Sequence, residues 1–228
     1  MSAKSTGTLS IPPDLDSIAE VNSAWIITGL AARYAFALGL HVRNKDPEIT
    51  EVSREMTIRI WWSVYSLKRQ LCVITGRPSA IRDDSCSTTL PIPFDEKTMS
   101  GKKGEEFIQQ WNRGHSSSEG RPSETASQDR LLNRDSGKQS YSQPDPNIGL
   151  YFRLRVQLGI ISQEAMVQLF AAGTVTKSWE HVQGNITRLG KRLDEWLANL
   201  PTQFDFTKQQ DDTLYLQQRL ALGFFSQL

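Results

Sequence analysis

The chain has 228 residues, 38% hydrophobic and 22% charged, with a formal net charge of +1. That length supports one hydrophobic core with room for a long insert. The near-neutral charge argues against a nucleic-acid-binding module, which carries a strong basic excess. No run of 18 apolar residues exists to span a bilayer.

Residues 1 to 13 are small and polar, end in Pro12-Pro13 and lack the apolar run of a signal peptide. They read as a disordered lead. Asp14 or Asp16 is placed to cap a first helix, whose stripe is Ile18, Val21, Trp25, Gly29, Ala32, Phe36 and Leu40. Gly29, Ala31, Ala32 and Ala35 make one side small, so another helix can approach closely. Gly39 marks the end, before Leu40 and His41.

Thr50 is a candidate N-cap, and Glu51 favours the positive end of a second helix running to about Thr75. Its main stripe is Met56, Ile60, Val64, Leu67, Leu71 and Ile74, with Trp61 and Tyr65 beside it. Adjacent Trp61 and Trp62 point about 100° apart on a helix, so covering both requires neighbours on two sides. This segment reads as the central helix of the domain. Gly76 supplies a left-handed cap and Pro78 stops continuation.

Residues 76 to 94 read as an irregular segment along the bundle, anchored by Ile81, Leu90 and Ile92, because Pro91 and Pro93 exclude a regular helix. Arg77 and Asp83 are a possible ion pair, worth about 0–1 kcal/mol if exposed. Glu105 to Trp111 reads as a short helix. Residues 112 to 147 are Ser, Arg, Glu, Gln, Gly and Pro with little apolar content. They cannot offset their ordering entropy by burial, and read as a disordered, solvated insert.

Two further helical stripes follow. One is Tyr151, Leu154, Leu158, Ile161, Ala165, Leu169 and Ala172, ending at Gly173. The next is Trp179, Val182, Ile186, Leu189, Leu193, Trp196 or Leu197, and Leu200, ending at Pro201. Leu214 to Leu228 reads as a last helix with Leu216, Leu220, Phe224 and Leu228 at spacing four, cut off in mid-pattern. The expected fold is therefore all-α, an irregular domain of about five main helices with a polar insert, occupying residues 14 to 228 and truncated at its C-terminus. No internal repeat marks a helical array.

Motifs for chemistry are sparse. His41, His115 and His181 are not at metal-ligand spacing to one another or to Cys72 and Cys86. The two cysteines form no disulfide framework, in keeping with a reducing compartment. Asp83-Asp84 and Asp211-Asp212 lack the further carboxylates of a diphosphate-binding magnesium site. There is no Gly-x-Ser-x-Gly elbow and no phosphate-binding Gly-Lys-Ser/Thr loop. The chain reads as no enzyme, with no cofactor and no metal of its own. Arg54, Arg59, Lys68, Arg69, Arg77 and Arg82 make residues 51 to 82 basic, but they are spread around a helix whose tryptophans sit at core spacing. Direct DNA contact needs those charges on one face.

One resemblance is specific. Arg59, Trp61, Trp62, Tyr65, Leu67, Arg69, Gly76-Arg77-Pro78, Ile81, Asp83 and Leu90-Pro91, preceded by Trp25, Gly29, Ala32, Ala35 and Leu38-Gly39-Leu40-His41, resemble the signature of the fungal-specific transcription factor domain. That domain is the middle homology region of fungal regulators with a binuclear zinc cluster. Lys68 departs from the pattern, standing where the family usually has Asp. The resemblance implies a nuclear regulatory region that modulates transcription by RNA polymerase II, through intramolecular contact, a protein co-regulator or a small effector. It implies DNA binding and zinc only through an N-terminal six-cysteine cluster that these 228 residues do not contain. The rival from another class is a stand-alone helical ligand-binding or scaffold protein of the same fold. The resemblance marks Trp25, Gly29, His41, Arg59, Trp61, Trp62, Tyr65, Arg69, Gly76, Arg77, Pro78, Asp83 and Pro91 as signature positions, with structural roles expected.

Overall fold

The computed structural model describes residues 14–115, 146–208 and 214–227. Among them the fold is all-α, with six helices and no strand. The lead over residues 1 to 13 lies outside the described residues, and so does most of the expected insert. The insert's two ends do not behave as solvated loop. Residues 112 to 115 belong to a helix, and Asn147 caps the next one.

Helix α1 (Asp14–Ala37) packs along α2 (Glu51–Thr75) in the opposite direction, Trp25 meeting Lys68 and Phe36 meeting Trp61. Ala32 and Ala35 are buried at the seam, where small side chains let the helices approach. α1 ends where Gly39 takes a left-handed φ of 69°. Local chemistry sets both ends of α2. The Thr50 hydroxyl accepts the Ser53 N–H at 3.2 Å, and Gly76 caps the other end with φ 64°.

An irregular strap, residues 76–94, then crosses back over α2, broken by one short turn at Asp83–Ser85. Ile81, Leu90 and Ile92 anchor it in the core, as the sequence pattern predicts. Helix α3 (Gly101–His115) closes one end, several residues longer than the segment read from Glu105 to Trp111. Helix α4 (Ile148–Leu169) starts against the strap. A Cβ on Gly149 would lie 1.9 Å from the Phe94 carbonyl oxygen, so only glycine permits that approach. Helices α5 (Trp179–Ala198) and α6 (Leu216–Gln227) complete the fold.

Two cores lie on either side of α4. One gathers Trp61, Trp62, Tyr65, Ala32, Ile81, Leu90, Val156 and Ile160 between α1, α2, the strap and α4. The other gathers Leu150, Leu154, Leu158, Ile161, Trp196, Leu200, Phe204 and Leu222 between α4, α5 and α6. α4 thus shares the central place expected of α2 alone. Its missed face is Val156 and Ile160, both fully buried.

Two stripes read from the sequence fall only partly inward. In α2, Leu71 is buried and Val64 packs on the core, but Ile60, Leu67 and Ile74 are about half exposed, and the core side runs through Trp61, Trp62, Tyr65, Lys68, Arg69 and Cys72. Leu216, Leu220 and Phe224 of α6 are exposed, and Arg219 and Leu222 face inward. Both helices are apolar on more than one side, so spacing alone leaves two candidate faces. In α2 the inward face wins because its aromatic and cationic groups find directional partners.

Candidate functional site

The signature residues form a clamp. Apart from its one short turn, the strap carries buried carbonyls with no ladder or helix to satisfy them, and each such group costs free energy if left alone. α2 supplies the donors. Trp62 Nε1 donates to the Thr89 carbonyl at 2.6 Å. Arg69 donates to the Ile81 carbonyl at 3.0 Å, to Gln163 of α4, and to Asp83, with which it forms a buried ion pair. Tyr65 OH donates to the same Asp83 carboxylate at 3.0 Å. Arg59 reaches the Ile92 carbonyl at 3.2 Å and that of Phe94 at 2.6 Å. From α4, Arg153 donates to the Pro91 carbonyl, and Asn147 to that of Pro93 at 3.1 Å.

The other signature positions sort around this clamp. Trp61 is fully buried and packs edge-on to Phe36, with the His41 ring 5.7 Å away. His41 lies beyond the end of α1. Its carbonyl accepts the N–H groups of Ser87 and Thr88, tying the strap to the α1 turn. Trp25 receives two cations over its ring, Lys68 Nζ 4.0 Å from the centroid and the Arg77 guanidinium at 5.0 Å. Gly29 sits against the Lys68 ammonium. Arg77 does not pair with Asp83. It donates to Asn22 at 2.6 Å, because Arg69 already holds that carboxylate. Pro91 is buried and Pro78 is exposed just past the Gly76 cap.

Lys68 is nearly fully buried and has no carboxylate partner among the described residues; it donates to the Trp25 carbonyl at 3.2 Å. Burial pushes its ammonium below the usual lysine range, and the Arg77 charge adds to that. Since Lys68 and Arg69 are buried, two of the six basic residues in this stretch are turned inward and unavailable to a phosphate backbone.

Beside the clamp, where α1 turns into α2, is a cavity of about 340 Å³. Leu40, Ile58, Leu90 and Ile92 form its apolar wall, and Trp111 and Asn112 of α3 border it. Four cations border it too, Arg43, Lys45, Arg54 and Arg153, against the two acids Glu51 and Glu55. Glu55 is only 3% exposed. Its Oε1 accepts from Arg59 Nε and from the Ile92 N–H, both at 3.0 Å. Burial nevertheless outweighs those bonds and raises its carboxyl to about 7. Sequence reading missed Glu55, Lys45 and Arg153. The one available signal was the Glu55–Arg59 spacing of four on a helix.

The cysteines do not fit a zinc cluster. Cys72 is buried in α2, and burial, reinforced by the Asp83 charge, pushes the Cys86 thiol up to about 12, against the thiolate a metal requires. Among the described residues no group of three His, Cys, Asp or Glu side chains is placed to hold a metal, and no helix is long and apolar enough to cross a membrane.

Comparison with known proteins assigns the class. The family described as "Fungal specific transcription factor domain" matches residues 17–198, which include the whole clamp. The chain belongs to that family, and is a regulatory region of the fungal transcription-factor type. It is 29% identical over 201 residues to the "Transcription regulator galc" of Aspergillus niger, covering 86% of this chain and 23% of the relative. It is 33% identical over 89 residues to the "Thiamine repressible genes regulatory protein thi1" of Schizosaccharomyces pombe, covering 39% of this chain and 12% of the relative. It is 36% identical over 76 residues to the "Pyrimidine pathway regulatory protein 1" of Saccharomyces cerevisiae, covering 33% of this chain and 8% of the relative. The chain thus spans less than a quarter of the length of these relatives. No solved structure matches it.

Proposed function

We propose that this chain modulates the output of a fungal transcription factor acting in the nucleus on RNA polymerase II promoters. The domain assigns no catalytic residue and works by binding, either to another part of the factor, to a protein co-regulator or to a small effector. DNA contact and zinc belong to a separate six-cysteine module of the intact factor. The observation that carries this reading is the family match over residues 17–198, with relatives described as transcriptional regulators. The same match speaks against a stand-alone scaffold.

The test is a fusion of the chain to a heterologous DNA-binding domain and a constitutive activation domain in yeast. The expected result is reporter output that changes when the chain is present and changes again with carbon or nitrogen source. Output indifferent to the folded chain in every medium rules the reading out.

A further inference from the structure

The cavity beside the clamp has the chemistry of a ligand site. Three observations converge there. The first is an unused acceptor. Both hydrogen bonds to Glu55 go to Oε1, so Oε2 receives none from the described residues, on a side chain 3% exposed that borders the cavity. Oε2 is thus the Glu55 oxygen left open to a donor placed in the cavity. The second is a fixed cation. Arg54, on the cavity border, is held in place by its bonds to Glu51 and to the Asp46 and Ile49 carbonyls. The third is the border charge. Lys45 makes no ion pair among the described residues, and it joins Arg43, Arg54 and Arg153 in outnumbering Glu51 and Glu55.

We propose that this cavity binds a small organic acid that also carries a hydrogen-bond donor, its acid group held by Lys45 and Arg54 and its hydroxyl or amide donating to Glu55 Oε2. The body of the molecule lies against Leu90 and Trp111. The inference rests on the regulatory reading, since it names the class of effector. The volume of about 340 Å³ sits at the small end of ligand pockets, which fits a metabolite. A cation is disfavoured, because Arg59 and Arg153 already face Glu55 and four cations border the space. A purely apolar ligand is disfavoured too, because it would cover Oε2 without supplying a donor.

The structure also says why this site sits in a regulatory domain. The cavity is walled by the end of α1, the start of α2, the strap and α3. A ligand bridging Lys45 to Glu55 joins the α1–α2 turn to the clamped strap.

The experiment is isothermal titration of the purified full chain with gluconate and pantothenate, which carry both groups. Hexanoate, an acid without a further donor, and glucose, a donor without an acid, are the controls. Saturable binding of gluconate or pantothenate is expected, at least about tenfold tighter than either control. Lys45→Ala lies on an exposed turn, so it should weaken binding about tenfold with an unchanged thermal midpoint. Glu55→Gln puts an amide donor where Oε2 accepts, and should weaken it at least as much. Absence of saturable binding by both dual-function acids overturns the proposal, as does binding that both variants leave intact. The fusion reporter is read in parallel. A reporter that still responds while no acid binds removes this site and spares the regulatory reading, whereas a silent reporter removes that reading itself.

Discussion

The two cores are built on different physics. The core on the α2 side is held by directional bonds: one tryptophan, a tyrosine and two arginines fasten a strap whose one regular piece is the short turn at Asp83–Ser85. The core on the far side of α4 is a set of aliphatic and aromatic contacts among three helices. Helices satisfy their own backbones, so the second core needs only apolar volume. The strap cannot, so the first core needs particular donors at particular places. A specific motif is the mark of the first kind of core, and a loose periodicity the mark of the second.

The largest expected effect tests that difference at matched burial. Trp62→Ala removes a fully buried ring and leaves the Thr89 carbonyl without its indole donor. Loss of the ring alone typically costs about 3–5 kcal/mol, much of a domain's usual stability of about 5–15 kcal/mol. Trp61→Ala loses the packing to Phe36 and His41 and should also leave the chain molten or insoluble. Leu158→Ala in the other core should cost about 2–5 kcal/mol, and Leu158→Met less than about 1.5. The sharper contrast is conservative replacement. Trp62→Phe keeps most of the apolar area but not the donor, and should still destabilise clearly, where Leu158→Met should not. Urea unfolding reads both, and equal tolerance of Trp62→Phe and Leu158→Met would mean the strap bonds contribute little.

Next in size is the buried ion pair. Arg69→Met leaves Asp83 charged, nearly fully buried and short of its cation, and it orphans the Ile81 carbonyl. Breaking one side of such a pair costs about 3–5 kcal/mol. The double variant Arg69→Met with Asp83→Asn should recover part of that loss, measured as the urea midpoint. No recovery would show that the Ile81 and Gln163 bonds, rather than the pair, matter most.

How far this was legible in the sequence follows the same division. Arg59, Trp61, Trp62, Tyr65, Arg69 and Asp83 were readable as one block, because a strap needing fixed donors constrains residue identity. The inward face of α2 was read only in part, because apolar spacing counts Ile60, Leu67 and Ile74 along with Leu71 and gives no credit to Lys68 or Arg69. Those two are buried on the strength of partners that come from Trp25, Ile81, Asp83 and Gln163, 12 to 94 residues away. α6 failed for a simpler reason: its apolar residues surround it, and only the position of α4 and Phe204 decides that Leu222 turns in. The cavity was not legible at all. Lys45, Glu55, Trp111 and Arg153 come from four separate stretches with no shared spacing.

A smaller effect should appear as pH dependence. Glu55 has its carboxyl raised by burial to about 7, from an ordinary value of 4.5. Between those values the folded chain holds a proton that the unfolded chain has released. Stability from this group is therefore fully present below about pH 4.5, falls as pH rises, and levels off above about 7. The slope is at most about 1.4 kcal/mol per pH unit. Arg59 on α2 and Arg153 on α4 face the carboxyl and restrain the shift. Glu55→Gln mimics the protonated form, so its urea midpoint should lose this slope between pH 5 and 7.5. Parallel curves for the two proteins would place the carboxyl at an ordinary value.

The smallest effect isolates burial as the variable. Arg82 and Asp84 flank Asp83 in sequence and form an Arg–Asp pair of the same chemistry as Arg69 and Asp83. The difference is surroundings: 76% and 52% of the Arg82 and Asp84 side chains are exposed, against 1% each for Arg69 and Asp83. The Arg82 guanidinium, by hydrogen bond first, draws the Asp84 carboxyl below its usual range. Water and salt screen that attraction, and holding two mobile side chains together costs rotamer entropy. Arg82→Ala should therefore leave the urea midpoint unchanged within error at 0.15 M salt, where Arg69→Met shifts it strongly. Any small difference seen at low salt should vanish by about 1 M sodium chloride, where the Debye length is only about 3 Å. If Arg82→Ala instead destabilises the chain at high salt, the short turn at Asp83–Ser85 depends on that pair to aim Asp83 at Arg69, and the clamp extends one residue further into the strap than its buried bonds show.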